Sequence, residues 1–119
     1  MISQIIPKLP FIDKEKTLQY YQNLGFEFPA DYGQYLIAIY NNSELHFFEF
    51  ESLIPEKSDF MLYLKISNNI DKFYQQIQDK GIEIHPNGSL ETKPWGMKEF
   101  SLIDPNGTLL TFGEKNELI

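Results

Sequence analysis

The first helical pattern of apolar and polar positions lies near the start of the chain. Leu18, Tyr21 and Leu24 fall on one face of a helix. Asp13 stands where an N-cap side chain accepts a backbone hydrogen bond, and Gly25 follows as a residue suited to a left-handed C-cap. The pattern therefore predicts a helix from Asp13 to about Leu24.

A second helical pattern follows in the other half of the chain, where four apolar residues recur at the i, i+3, i+4, i+7 spacing of an amphipathic helix: Ile70, Phe73, Tyr74 and Ile77. Asn69 precedes it as a cap and Gly81 ends it. Gly81 lies 56 residues after Gly25, and the residues around the two glycines align at that constant spacing. We interpret this as an internal repeat of one module, packed about a pseudo-twofold axis.

Strand-like segments surround both helices. They cover, in order, residues 5–11, 26–29, 35–40, 44–51, 60–66, 82–85, 98–103 and 108–112. Asn41-Asn42-Ser43 and Asp104-Pro105-Asn106-Gly107 supply turn residues between neighbouring segments. The pattern predicts an α+β domain over 1–119, built from two βαβββ modules at about 1–55 and 56–119.

Composition narrows the classes of function. All ten basic residues are Lys and the net charge is -7, which argues against nucleic acid as a partner because phosphate binding needs a basic surface. The chain has no Cys, which excludes disulfides and thiolate chemistry. No leader-like or membrane-spanning apolar run is found, so we expect a cytoplasmic protein that binds no membrane.

Several motifs together resemble the glyoxalase/bleomycin-resistance/dioxygenase (vicinal oxygen chelate) superfamily, and within it the bleomycin-resistance proteins. They are Asp13…Tyr20-Tyr21…Leu24-Gly25-Phe26, Leu45-x-Phe47-Phe48, Gly81-Ile82 and Trp95-Gly96…Asp104-Pro105-Asn106-Gly107-Thr108-Leu109-Leu110. The resemblance implies two curved mixed sheets, a homodimer that often exchanges an element, and a ligand cavity between sheets or at the dimer interface. Functions in the family range from metal enzymes to passive binders.

Metal enzymes of this family, as the resemblance implies, hold one divalent ion with His, Gln or Glu at matched strand positions. Three of these positions carry side chains that do not bind hard divalent metals: Ile6, Met61 or its neighbour Leu62, and Thr111. Only Glu44 fits, with His46 as a conceivable second ligand. Alternation along the segment 44–51 places Glu44, His46 and Phe48 on one side and Phe47 on the other. We therefore expect no catalytic residues, metal or other cofactor, and Glu44 and His46 remain weak metal candidates.

Without a metal, binding must rest on shape, stacking and charge. Flat side chains fall in or beside the predicted strands, and Trp95-Gly96 matches the family's Trp-Gly. The candidate ligand-binding residues are Trp95, Tyr35, Tyr40, Tyr32, Phe48, Phe47 and Gly96. The leading hypothesis is a non-enzymatic protein that sequesters a bleomycin-like antibiotic, or another cationic aromatic compound, in a dimer groove. The alternative is a diverged metal-dependent enzyme of the glyoxalase or dioxygenase kind, built around Glu44 and His46.

Overall fold

The computed structural model describes residues 1–116 and divides into two compact units. The first comprises Met1–Phe60 together with Pro105–Thr108, and the second Met61–Asp104 together with the residues from Leu109 onward. Each unit contains one helix and one four-stranded mixed sheet, which confirms the predicted α+β class with two βαβββ modules. Among the described residues, no helix is long and apolar enough to cross a membrane.

The first unit follows the predicted order of elements. These are β1 (Lys8–Phe11), α1 (Lys14–Leu24), β2 (Glu27–Asp31), β3 (Tyr35–Tyr40) and β4 (Ser43–Glu49), followed by a short 3₁₀ turn at Pro55–Lys57. The sheet order is β1-β4-β3-β2, with β1 parallel to β4 and the other neighbours antiparallel. Alternate residues of β3 and β4 are buried, which gives these strands one core face and one open face.

The second unit repeats this topology with β5 (Met61–Lys65), α2 (Ile70–Asp79), β6 (Glu91–Thr92), β7 (Met97–Ile103) and β8 (Leu109–Lys115). The sheet order is β5-β8-β7-β6, and β5 runs parallel to β8. Its core contains Ile70 and Ile77 of the helix and the stacked rings of Phe100 and Phe112, whose centroids lie 5.0 Å apart. Antiparallel pairing of β7 with β8 confirms the predicted hairpin.

The internal repeat extends to individual hydrogen bonds. At the end of α1, Gly25 N–H donates to Gln22 O and Phe26 N–H to Tyr21 O; at the end of α2 the same two bonds recur 56 positions later. Both glycines adopt positive φ, 112° for Gly25 and 74° for Gly81, as a left-handed helix cap requires. The helix starts agree as well, because the side chains of Asp13 and Asn69 each accept a bond from a backbone N–H three residues later.

One predicted strand is wrong. Residues 82–85 form no regular strand. Near β7, His85 N–H donates to Ser101 O, and Ser101 N–H donates to the O of Gly88, beyond this segment. Pro86 lacks an N–H and Gly88 follows closely, so the ladder cannot continue. The edge strand of this sheet is instead the short β6.

Candidate functional site

The open face of the first sheet carries a row of polar and aromatic side chains. Tyr35 and Phe48 lie directly opposite each other in the β3–β4 pairing, and His46 and Glu44 follow on the same face of β4. This is the side-chain arrangement predicted from the alternation in β4. The structure therefore brings four candidate residues together within the first unit.

His46 forms the centre of a hydrogen-bonded chain. Its Nδ1 lies 2.7 Å from the hydroxyl of Tyr35, and its Nε2 lies 2.6 Å from Oε2 of Glu44. Because a carboxylate only accepts, Nε2–H is the donor to Glu44. Lys8 adds a positive charge, with its Nζ 5.3 Å from the centroid of the Tyr35 ring. Tyr35 is therefore held by the imidazole of His46 on one side and by the ammonium of Lys8 on the other.

The geometry at His46 bears on the metal alternative. Both ring nitrogens are already engaged, so coordinating an ion would cost His46 the bond to Tyr35 or the bond to Glu44. Tight binding of a divalent metal takes three or four protein ligands. Within residues 1–116, no group of three or more His, Cys, Asp or Glu side chains lies close enough to hold an ion.

The two phenylalanines proposed from β4 have different surroundings. Phe48 is half-buried on the open face, where its ring lies about 6 Å from those of Phe50 and Phe60. Phe47 is fully buried and packs edge-on against Tyr21, with ring centroids 4.8 Å apart. Successive strand residues point to opposite faces, so Phe47 is a core residue in this structure.

Tyr32 and Tyr40 lie at other places in the first unit. Tyr32 is 72% exposed, in the loop between β2 and β3 rather than in a strand. Beside it, the backbone N–H of Gly33 and then the ammonium of Lys14 hold the pKa of Asp31 below its usual value. Tyr40 ends β3, packs against Phe26 and lines a cleft of about 420 Å³.

Trp95 and Gly96 belong to the second unit, in the turn before β7. The indole is 65% exposed. The turn is closed by hydrogen bonds from Gly96 N–H to Lys93 O and from Lys93 N–H to Met97 O. Gly96 has φ of 82°, a conformation that L side chains rarely adopt, so this position favours glycine. Trp95 is therefore a solvent-facing ring on a fixed backbone.

Two residues that the sequence did not single out share the surroundings of Trp95. Glu99, on β7, is only 7% exposed, and its Oε2 accepts bonds from the Trp95 indole N–H at 3.0 Å and from the Tyr63 hydroxyl at 2.6 Å. Tyr63 lies on β5, one position beyond the Met61–Leu62 pair considered for metal binding. A carboxylate beside Phe100 in a largely apolar strand was the signal that could have identified this cluster.

The environment of Tyr63 favours its neutral form. Burial of the hydroxyl, together with the hydrogen bond to Glu99 and its charge, raises the pKa of Tyr63 to about 12. The hydroxyl occupies the space where a side chain at residue 113 would begin, since a Cβ on Gly113 would lie 1.9 Å from it. Tyr63 therefore donates to Glu99 throughout the physiological pH range.

Comparison with known proteins supports the family resemblance that the sequence motifs indicate. The chain is 32% identical to a bleomycin resistance protein of Klebsiella pneumoniae, covering all of this chain and 97% of that protein, and 28% identical to one of Geobacillus stearothermophilus. Among solved structures it is similar to a bleomycin-binding protein in complex with bleomycin (TM-score 0.85, 29% identity, 97% and 100% of the two chains covered). A bleomycin resistance determinant encoded on transposon Tn5 gives the same TM-score at 31% identity, covering 98% of this chain and 100% of that chain. Residues 7–112 match the glyoxalase/bleomycin resistance protein/dioxygenase superfamily, and the chain belongs to that family.

Proposed function

We propose that this protein binds a bleomycin-family antibiotic and keeps it from its target by stoichiometric sequestration, without chemical turnover. The observation that carries the proposal is the full-length similarity to a bleomycin-binding protein solved with bleomycin bound, at a TM-score of 0.85. Sequestration needs only affinity and abundance: the protected fraction grows with protein concentration relative to the dissociation constant.

The chemistry of the side chains suits such a ligand. Bleomycins combine a planar bithiazole with a basic tail. Exposed rings such as Trp95 and Tyr32 offer flat apolar surface, and each stacked ring pair adds about 0.5–1.5 kcal/mol. The net charge of -7 attracts a cationic tail from a distance.

The proposal includes a homodimer with the ligand in a groove between subunits, acting in the cytoplasm. Exposed apolar side chains on the second sheet support self-association, since Met61 is 68% and Ile103 is 46% exposed. Sedimentation equilibrium tests this part. A mass of one chain, with and without bleomycin, would refute the dimer and leave the binding proposal intact.

Calorimetric titration with metal-free bleomycin tests binding directly, and a plasmid-cleavage assay tests sequestration. We expect saturable heat, and protection of DNA from iron-activated bleomycin that becomes complete once binding sites equal drug. Complete protection at a protein concentration well below that ratio would indicate turnover and contradict sequestration. No heat at tens of micromolar protein would remove the antibiotic as ligand.

Substituting Trp95 tests which surface binds. W95A removes an exposed ring, and we expect bleomycin affinity to fall by roughly thirtyfold, as for an aromatic hot spot. The matched control is I54A, which truncates an apolar side chain that is also about half exposed. Equal affinities for W95A and I54A would place the ligand elsewhere.

Metal content separates the binder from the diverged enzyme. We expect the purified protein to contain no stoichiometric divalent ion, because His46 already uses both ring nitrogens within the chain Tyr35–His46–Glu44. One tightly bound ion per chain, lost in H46A, would overturn this assignment in favour of metal chemistry.

A further inference from the structure

We propose that Glu99 is a positioning residue that fixes Trp95 and Tyr63 as one two-ring platform for a planar ligand. The inference rests on the proposed function, because it takes Trp95 as a ligand contact. It adds Tyr63 as a second contact and assigns to Glu99 the task of orienting both rings.

The hydrogen-bond geometry carries this inference. The indole N–H and the phenol O–H converge on the same oxygen, Oε2 of Glu99, at 3.0 and 2.6 Å. Bonds to a charged acceptor are about twice as strong as neutral ones, and a shared acceptor couples the two ring orientations. The polar edge of each ring is thus tied to the sheet.

Burial is divided unequally within the cluster. Glu99 is 7% exposed, whereas Trp95 and Tyr63 are 65% and 47% exposed. A carboxylate is removed from water here while two large rings remain in it, the reverse of the usual preference. The arrangement is understandable if the carboxylate serves to hold the rings and if the exposed ring surface has a partner to bind.

The backbone around the rings supports the same role. The Trp95 turn is closed by two hydrogen bonds of Lys93, one with Gly96 and one with Met97. Gly96 O also accepts a bond from the N–H of Asn116, the residue that follows β8. Gly113 leaves room for the Tyr63 hydroxyl to reach Glu99. Fixing rotatable side chains before binding avoids about 0.5–1.5 kcal/mol of ordering cost for each.

The test uses E99L, which removes the acceptor, and E99Q, which keeps an acceptor but removes the charge. The matched control is E91Q, since Glu91 lies opposite Glu99 in the β6–β7 pairing but is exposed and bonds Lys93. Trp95 is the only tryptophan, so the fast component of time-resolved fluorescence anisotropy in ligand-free protein reports the motion of this ring. Titration with metal-free bleomycin gives the affinity.

We expect E99L to add fast ring motion at Trp95 and to weaken bleomycin binding by about tenfold, E99Q to lie between, and E91Q to match the parent protein. Circular dichroism checks the fold; where E99L does not fold, E99Q against E91Q decides by the same criteria. Trp95 motion and affinity unchanged in the Glu99 variants would overturn the inference. If the parent protein binds no bleomycin, the proposed function fails, but the anisotropy still tests whether Glu99 positions the rings. Added motion of Trp95 in the Glu99 variants supports that role, and unchanged motion refutes it.

Discussion

At the scale of single residues, Asn106 is a turn residue whose buried side chain makes hydrogen bonds to residues distant in sequence. Its amide is 1% exposed, with Oδ1 accepting from Ile12 N–H at 2.9 Å and Nδ2 donating to Thr17 Oγ1 at 3.2 Å. N106A leaves the part-buried Ile12 N–H and the buried Thr17 hydroxyl without that partner, and we expect a loss of about 1–3 kcal/mol in the free energy of unfolding. Urea denaturation measures it.

The matched control for this prediction is N87A. Asn87 is an exposed turn residue whose backbone N–H, not its side chain, bonds His85 Nδ1, so the expected change in the free energy of unfolding is within about 0.5 kcal/mol. Equal stability of N106A and N87A would show that the two side-chain hydrogen bonds of Asn106 make no net contribution to stability.

Tyr63 gives a pH prediction. Its pKa is about 12 in the folded protein against 10.0 for an ordinary tyrosine, so between these values the unfolded chain loses this proton first. The contribution of Tyr63 to stability is therefore fully present below pH 10 and falls as pH rises towards 12. The difference in the free energy of unfolding between the parent protein and Y63F should therefore decrease as pH rises over that range. A constant difference would contradict the raised pKa.

Alternation along a strand also determines how far the site was predictable. It placed Glu44, His46 and Phe48 on one face of β4, as observed. It equally implied that Phe47 points to the other face, where its ring is fully buried in the core. Tyr63 and Glu99 were missed because their pairing depends on β5 and β7 both flanking β8, which no local pattern contains.

At the scale of elements, the two helix ends form a natural matched pair. G81A introduces a side chain at φ of 74° into open space, and we expect a cost of about 1–2 kcal/mol. G25A has φ of 112° and also brings a Cβ within 2.9 Å of the Tyr40 ring, so it should cost at least about 1 kcal/mol more. Urea denaturation of both variants provides the comparison.

A double variant isolates the contact with Tyr40. In the background Y40A, the excess cost of G25A over G81A should shrink to the part that comes from φ alone. An excess that persists unchanged would show that the close approach to the ring does not contribute.

Elements were predictable where local chemistry agreed with the fold. Both helices, their caps and the hairpin turns carry their signals within a few residues, and all are observed. The segment 82–85 has strand-like composition, but the following Pro86 and Gly88 interrupt its pairing with β7. The two-residue β6 is too short to leave a periodic pattern, so this edge of the sheet was not predictable.

At the scale of the whole molecule, sequence spacing indicated two modules but not how the chain is shared between them. Residues Pro105–Thr108, part of the β7–β8 turn, cluster with the first unit. The reason lies in two of these residues: Asn106 bonds Ile12 and Thr17, and Gly107 approaches Pro55 so closely that a Cβ would clash with its backbone. Such long-range contacts are invisible to a pattern read along the chain.

Net charge leads to a whole-molecule prediction that separates attraction from stacking. The net charge of -7 produces a long-range electrostatic attraction for cations. Salt screens this attraction, with a screening length of about 10 Å at 0.1 M salt and about 3 Å at 1 M. Bleomycin affinity should fall several-fold between about 50 mM and about 500 mM NaCl, whereas a neutral bithiazole fragment should bind with little salt dependence. Calorimetry at both salt concentrations measures this. A salt-independent affinity for the intact drug would mean that the acidic surface serves solubility alone, and that exposed rings such as Trp95 must account for recognition.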